Sequence, residues 1–210
     1  MHNYTLEEGK RLVSAARHAI ELSLISPHFN RELVSKLTEN LKEYDGVFVT
    51  LEHYPTRALR GCIGFPRAVA PLGEAVIDAA IAAAFEDPRF VPVSHKELDR
   101  LLVEVNVLTK PEEINGPAAQ RYKKIGIGRD GLIAKYGLYE GLLLPSVATE
   151  QGWDAKAFLS ETCVKAGIPA NSWQQQNVKV FSFRSQVFRE IEPGGAVINV
   201  NQERQTSKSS

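Results

Sequence analysis

The sequence predicts an α+β fold with mainly antiparallel sheets, and two observations support this class. Short segments of alternating apolar and polar residues follow one another closely enough to form hairpins. Helical segments are interspersed among them, without the strict strand–helix alternation that is typical of parallel sheets. The chain has 210 residues, of which 43% are apolar, so it has enough material for a sizeable core. A doubly wound parallel sheet is disfavoured.

Capping signals and apolar periodicity predict the helices. Thr5 and Glu8 have the spacing of a capping box, and apolar residues then recur near the helical period over 6–24. The other predicted helices are a shorter one that is capped by Asn30 and ends near Asp45-Gly46, one from Pro71 to about Glu86, a turn with Ser94 and Glu97 in capping positions, and one over 155–166 that is capped by Asp154 and ends at Gly167.

The predicted strands form hairpins and short runs. Segments 47–52 and 59–65 predict an antiparallel hairpin with a longer loop. Valines at alternate positions predict a strand over 101–108. The remaining predictions are a hairpin of 125–127 with 131–135 across Arg129-Asp130, a loop over 111–117, and strands over 138–144, 178–183 and 186–191. The predicted domain covers 1–192, and a polar, mobile tail is expected over 193–210.

Composition argues against several classes of function. Lys plus Arg and Asp plus Glu number 25 each, so the formal net charge is zero, which disfavours a nucleic-acid backbone binder. No apolar run approaches the roughly 20 residues of a membrane span, and the first residues lack a signal-peptide layout. We therefore expect a cytoplasmic protein with no membrane partner. The five histidines have no metal-binding spacing, so no metal site is predicted.

One glycine-rich segment has the letters of a nucleotide-binding motif. Residues 126–131 read Gly-Ile-Gly-Arg-Asp-Gly, which matches the dinucleotide fingerprint. That fingerprint requires a strand before it and a helix after it, whereas a turn and a strand are predicted here. No cofactor is therefore predicted.

The segment most suggestive of a functional site is 59–65, which combines an arginine, a thiol and two glycines on one predicted strand. Because alternate residues share a face, Arg60 and Cys62 are expected to point one way. If the polar faces of the hairpin coincide, Thr50 and Glu52 join them in one cluster. A nearby guanidinium favours the thiolate, although Glu52 could cancel this effect by pairing with Arg60. The opposite face, with Leu59, Ile63 and Phe65, is expected to face the core.

Each candidate also has a purely structural interpretation. Free cysteines are often buried as small apolar residues, which suits Cys163 and could also apply to Cys62. His53 is the best candidate base for Cys62, although loop histidines are commonly solvated. Asp87 and Arg89 follow a buried helix and either end it locally or extend into a site. Glu104 and Asn106 share one strand face, which a solvated surface explains as well as a site does.

The hexapeptide over 59–64 resembles the hallmark segment of the AMMECR family, whose prokaryotic members are called AmmeMemoRadiSam system protein A. The resemblance covers roughly residues 10–190. Ser146 is one departure from the family pattern, since glutamine is expected there in many members, and a serine cannot supply that amide. Further segments that match the family's order are Gly46–Leu51, Asp87–Phe90, Gly131–Ile133, Leu143–Pro145, Trp153-Asp154 and Cys163–Gly167.

The resemblance implies two α/β two-layer units with antiparallel sheets, the larger formed from both chain ends, and a cleft between them. It implies a genomic association with Memo-type and radical-SAM proteins, which are therefore possible partners. It does not imply a known reaction. The motif residues that suggest a shared site are Arg60, Gly61, Cys62, Gly64, Asp87 and Arg89.

Two hypotheses follow. In the first, the cleft binds or transforms a small molecule or peptide, with Cys62 as nucleophile or polar contact and Arg60 as anion anchor. Gly61 and Gly64 would then allow a close approach to the backbone, and Glu52 would line the site. In the second, the chain is a non-catalytic interaction module, an accessory to a Memo-type or radical-SAM protein.

Overall fold

A computed structural model of the chain describes residues 3–26 and 28–201, and it confirms the α+β class with antiparallel strand pairs. The chain forms two compact units. Unit 1 comprises residues 1–108 and 186–210, and unit 2 comprises residues 109–185. Unit 1 is therefore built from both chain ends, in agreement with the family resemblance.

The elements are numbered in chain order. The α-helices are α1 (Leu6–Ile25), α2 (Glu32–Ser35), α3 (Leu72–Phe85), α4 (His95–Leu98), α5 (Pro145–Glu150) and α6 (Ala155–Lys165). The strands are β1 (Gly46–His53), β2 (Ala58–Phe65), β3 (Leu101–Leu108), β4 (Glu112–Glu113), β5 (Gly131–Tyr136), β6 (Tyr139–Leu143), β7 (Lys179–Phe183), β8 (Ser185–Glu190) and β9 (Val197–Asn199). Short 3₁₀ helices cover Lys36–Thr38, Ala118–Lys124 and Ala170–Gln174.

Unit 1 packs helices α1 and α3 against one face of a sheet with the order β2-β1-β3-β8-β9. The face toward the helices, called the inner face below, is apolar because alternate residues of each strand share it. The other side is called the outer face. The inner-face residues of β1 and β3 are Val47, Val49, Leu51, Leu101, Val103, Val105 and Val107.

A buried ion pair ties the C-terminal strands to the rest of unit 1. Arg17 on α1 donates from Nε and Nη2 to the Glu190 carboxylate at 2.5 and 2.6 Å. Glu190 Oε2 also accepts from Val103 N at 2.8 Å, and Arg17 Nη2 reaches Leu101 O. Because both charges are paired and hydrogen-bonded, the network holds β8 beside β3 without an isolated buried charge.

Unit 2 packs α6 against a sheet with the order β4-β7-β5-β6. Asp154 Oδ1 caps α6 by accepting from the amides of Lys156 and Ala157 at 2.9 and 2.8 Å, as predicted. Cys163 is fully buried in the core of this unit, which agrees with the structural interpretation of that thiol. Ser146 lies in the first turn of α5.

Three predictions about secondary structure are wrong. The hairpin across 129–130 does not form, because Asp130 accepts from Gly126 N at 2.8 Å and closes a turn, while β5 pairs with β6 and β7. The loop over 111–117 contains the short strand β4, which pairs with β7. The helix expected after Asn30 ends earlier than predicted: Asn30 Oδ1 accepts from Glu32 N at 3.0 Å, but α2 and its 3₁₀ extension end at Thr38 instead of near Asp45.

The predicted boundary at 192 is also too early. Strand β9 pairs antiparallel with β8, with Asn199 opposite Phe188, and Val200 is buried. The apolar residues of β9 complete the edge of the unit 1 sheet, so ordered structure continues past the predicted start of the tail. The last part of that segment, 202–210, lies outside the described residues. Over 3–26 and 28–201, none of the helices has both the length and the apolar character needed to cross a bilayer.

Candidate functional site

The outer face of the unit 1 sheet carries a row of polar side chains across its strands. The strand register places Cys62 on β2 opposite Thr50 on β1, and Thr50 opposite Glu104 on β3. Thr50 Oγ1 donates to Cys62 Sγ at 3.3 Å, and Arg189 Nη1 on β8 lies 3.4 Å from Glu104 Oε2. The predicted association of Thr50 with Cys62 is therefore confirmed, and the row continues to Glu104 and Arg189.

Arg60 does not belong to this row, which corrects the predicted cluster. The register of the hairpin shifts so that Leu51 is opposite Gly61 but Glu52 is opposite Leu59, which leaves Arg60 as the extra residue of a β-bulge. Because of this extra residue, the side chains before Arg60 lie on the opposite face from the one that strict alternation from Cys62 predicts. Leu59, expected in the core, is consequently 42% exposed.

The Arg60 guanidinium is buried in a structural network, so it is not placed as an anion anchor. Its Nε donates to Glu97 Oε1 at 3.0 Å, and its Nη2 donates to Val91 O at 2.8 Å. The hydrogen bond from Arg60 lowers the pKa of Glu97 to about 2, so this pair stays ionised at neutral pH. The guanidinium also lies 5.7 Å from the centroid of the Phe90 ring.

Glu52 pairs with Arg57 instead of with Arg60. Arg57 Nη2 lies 2.7 Å from Glu52 Oε2 and 3.9 Å from Glu104 Oε2, so one guanidinium reaches both carboxylates. Arg57 has a φ of 62°, in the left-handed region that non-glycine residues seldom adopt. Its amide donates to His53 O at 2.7 Å, which closes the hairpin loop. The loop conformation thus directs the Arg57 side chain back onto the outer face.

Asp87 and Arg89 hold the backbone of Cys62. Asp87 Oδ2 accepts from Cys62 N at 2.9 Å, and Arg89 Nη2 donates to Cys62 O at 3.3 Å. The two side chains also pair with each other, with Arg89 Nη2 at 2.7 Å from Asp87 Oδ2. The hydrogen bond from Arg89 holds the pKa of Asp87 well below its ordinary value. Asp87 is almost fully buried, whereas the Arg89 side chain is 53% exposed, so Arg89 is the accessible cation beside Cys62.

The Cys62 thiol is neutral at physiological pH. Burial raises its pKa above the ordinary value of 9.0, and the charge of Glu104 adds to the increase. The hydrogen bond from Thr50 and the charge of Arg89 act in the opposite direction but do not cancel the effect of burial. The thiolate that a resting nucleophile requires is therefore disfavoured.

His53 is not positioned as a base for Cys62. It pairs with Ala58 and Leu101, three residues along β1 from Thr50 and therefore about 10 Å away along the strand. An odd spacing also places it on the opposite face from Thr50. The structure thus separates the two residues that the sequence suggested as a catalytic pair.

The two motif glycines allow packing within the fold, not the approach of a ligand. A Cβ on Gly61 would lie 2.2 Å from Ala83 O on α3. A Cβ on Gly64 would lie 2.3 Å from Val47 O on β1. Since both contacts are with backbone atoms, the glycines let α3 and β1 come close to β2.

Two buried polar atoms on the outer face have neither a hydrogen-bond partner nor an ion-pair partner among residues 3–26 and 28–201. They are Asn106 Oδ1, on the residue of β3 two places after Glu104, and Arg189 Nε on β8. Asn106 is only 8% exposed. Burial, together with the charge of Glu52, raises the pKa of Glu104, which adds a second perturbed group to the face.

Sequence reasoning identified part of this arrangement. The alternating pattern of β3 predicted that Glu104 and Asn106 share one face, but it did not show whether that face is solvated or belongs to a site. Arg57 and Arg189 were missed, because a loop arginine and an arginine on a late strand give no sign of their partners. In the part of the chain that the structure describes, no three His, Cys, Asp or Glu side chains are grouped to hold a metal ion.

Comparison with known proteins gives consistent matches over nearly the whole chain. The AMMECR1 family model matches residues 13–188. Protein MJ0810 of Methanocaldococcus jannaschii is 47% identical over 199 residues, which cover 94% of this chain and 98% of that protein. Protein PH0010 of Pyrococcus horikoshii is 50% identical over 194 residues, covering 91% and 94%. The crystal structure of PH0010, an uncharacterised protein, matches with a TM-score of 0.84 at 49% identity, covering 92% of this chain and 96% of that one.

Proposed function

This chain belongs to the AMMECR1 family, and we propose that the outer face of its unit 1 sheet binds a small polar molecule or a peptide segment. The observation that carries this proposal is the pair of buried, unpartnered atoms, Asn106 Oδ1 and Arg189 Nε. A buried polar atom without a partner costs about 1–3 kcal/mol, so native proteins nearly always satisfy it. One acceptor and one donor on the same face suit a ligand that offers both.

The charges on the face indicate what the ligand carries. Glu52 is already paired with Arg57, and Glu104 with Arg189. A strongly charged ligand would have to displace one of these partners. A neutral or zwitterionic group with an N–H and a C=O, such as an amide or a peptide bond, would satisfy both unpartnered atoms and leave the ion pairs intact.

Cys62 acts in this proposal as a neutral contact held in place by its backbone. Its amide and carbonyl are fixed by Asp87 and Arg89, and its sulfur accepts from Thr50. Because burial favours the thiol, the S–H is available as a weak donor to the ligand. Arg89 is exposed next to it and offers further donors.

Native mass spectrometry of freshly purified protein tests the proposal. We expect a non-covalent adduct of small-molecule or short-peptide mass that dissociates under denaturing conditions. Cys62→Ala should reduce its occupancy several-fold, whereas Cys163→Ala, which removes the other free thiol from the core of unit 2, should leave the occupancy unchanged.

Three results would count against the proposal. Equal occupancy in both cysteine variants would place the ligand elsewhere. An adduct on Cys62 that persists after denaturation would show a covalent bond and would restore the nucleophile role. If the wild-type protein carries no adduct and no amide-containing ligand perturbs Cys62, ordered water satisfies the two atoms and no binding site exists there.

A second candidate is an interaction module for a Memo-type or radical-SAM protein, and one observation favours it. Tyr54 and Leu59, on the β1–β2 hairpin, are 44% and 42% exposed, so the hairpin presents apolar surface to solvent. Arg60 is too buried to contact a partner. A pull-down with such a partner should therefore weaken in a Tyr54→Ser/Leu59→Ser variant and persist in Cys62→Ala. Loss of capture in Cys62→Ala alone would contradict this candidate.

A further inference from the structure

Unit 2 contains a buried cation whose charge no carboxylate of that unit neutralises by direct contact. Arg121 is 4% exposed and donates from Nη1 to two backbone carbonyls, Trp173 O at 2.7 Å and Gln175 O at 3.2 Å. Its Nε has no hydrogen-bond partner within the described part of the chain. Glu113 acts on Arg121 electrostatically, but its own carboxylate lies 3.7 Å from Lys179 Nζ. A buried charge of this kind is costly unless something pairs with it.

A cavity of about 150 Å³ lies beside Arg121. Among the residues that the structure describes, its lining contains three cationic side chains and no carboxylate. The Lys124 side chain is held over the loop that contains Asn115, because its Nζ donates to Asn115 O at 2.6 Å. Gln176 fixes the same loop by accepting from Ala118 N at 3.3 Å. The lining residues are Asn115, Pro117, Gln120, Arg121, Lys123 and Lys124.

From these two features we infer that unit 2 binds a phosphate group, free or as a monoester, in the cavity beside Arg121. A dianion with several oxygens matches the three cations better than a carboxylate does, since it can accept from more than one donor. The volume suits a phosphate and the first atoms of a substituent, and it is too small to enclose a nucleotide. Residues 109–185 carry ten lysines and arginines against seven acidic residues, so the surrounding charge also favours an anion.

The inference is independent of the outer-face site, because every residue that it uses lies in unit 2. Phosphate binding would also offset the free-energy cost of burying the Arg121 charge. Burial lowers the pKa of this arginine, because removing its charge from water is unfavourable. A bound phosphate would offset that penalty by supplying a counter-charge.

Amide chemical shifts of the full chain, followed by ¹H–¹⁵N NMR, provide the test. Inorganic phosphate and methyl phosphate are titrated separately, each against sodium chloride at equal ionic strength. We expect saturable shifts confined to the amides around 115–124. Tighter binding of inorganic phosphate indicates free phosphate as the ligand, and tighter binding of methyl phosphate indicates a monoester.

Charge variants show whether the cavity is responsible. Lys123→Gln/Lys124→Gln should weaken the apparent affinity at least tenfold, and Lys135→Gln/Lys165→Gln, which removes two charges from other parts of unit 2, should change it less than twofold. These exposed lysines are preferred to Arg121, since replacing a buried arginine could unfold the unit. Shifts that do not saturate, that chloride reproduces, or that both double variants reduce equally would overturn the inference.

Discussion

The two units differ in how their buried charged side chains are paired. On the outer face of unit 1, each carboxylate lies beside a guanidinium, Glu52 with Arg57 and Glu104 with Arg189. In unit 2, Arg121 is more deeply buried than any of these but reaches only backbone carbonyls. Both regions contain an unpartnered polar atom, but the carboxylates of the outer face are paired with guanidinium groups, whereas no carboxylate within 109–185 contacts Arg121 directly.

The two charge distributions favour different classes of ligand. A charge-balanced face discriminates through hydrogen bonds, so its ligand is expected to be neutral or zwitterionic. A cavity with unpaired cations discriminates through charge, so its ligand is expected to be an anion. Binding in unit 2 should therefore weaken with added salt, while binding on the unit 1 face should change little.

The largest expected effect concerns the glycines of the two units. Gly61→Ala should lower the free energy of unfolding by about 3 kcal/mol, because the new methyl group would meet the backbone of Ala83. Gly126→Ala is the matched change in unit 2, and it should cost less than about 1 kcal/mol, since its neighbour is the flexible side chain of Arg129. Urea unfolding followed by far-UV circular dichroism measures both.

Tryptophan fluorescence alone would not suffice for that comparison, because Trp153 and Trp173 both lie in unit 2. If Gly61→Ala proves as stable as the wild type, the glycine is not needed for packing. The presence of a glycine at this position of the motif would then have to be explained by the close approach of a ligand.

Low pH should lower the stability of unit 1 by protonating the carboxylates that bond to Cys62 and Arg60. The pKa values of Asp87 and Glu97 are lowered in the folded state, that of Glu97 from 4.5 to about 2. Their stabilisation is therefore complete above the ordinary carboxylate range and is lost as the pH falls toward 2. Asp87→Asn/Glu97→Gln should be less stable than the wild type by about 2 kcal/mol at pH 7, and this difference should become progressively smaller as the pH falls from about 5 to about 2.

The measurement is the urea midpoint as a function of pH, recorded for both proteins. Glu74→Gln/Glu86→Gln, which changes two exposed carboxylates on α3 and just after it, is a control for simple loss of charge. A wild-type advantage that stays constant down to pH 2 would contradict the assignment of these two ion pairs.

A smaller effect is expected at the Cys62 thiol itself. The charge of Glu104 contributes to its raised pKa, so Glu104→Gln should increase the rate of alkylation at pH 8 by about threefold. The assay uses iodoacetamide in a Cys163→Ala background, in which Cys62 is the one remaining cysteine. Glu74→Gln, at an exposed position on α3, should leave the rate unchanged. A slower reaction in Glu104→Gln would instead indicate that Glu104 takes the thiol proton.

Local signals in the sequence predicted much of unit 1. Alternating valines gave the bounds of β3, and the capping residues Thr5 and Ser94 bond as their spacing suggested. The bulge at Arg60 could not be predicted, because it depends on the approach of α3 to Gly61, a contact between distant segments. The same reason applies to Arg57, whose role depends on a left-handed loop conformation. In unit 2, the turn closed by Asp130 replaced a predicted strand.

The most direct test of the proposed outer-face site is the ligand occupancy of Asn106→Leu, measured by native mass spectrometry beside the wild type. This change removes the unpartnered buried acceptor while keeping the side-chain volume similar, so the protein without ligand should be at least as stable as before. We expect the bound small molecule or peptide to be lost from Asn106→Leu and retained in Cys163→Ala. An unchanged occupancy in Asn106→Leu would contradict the proposal.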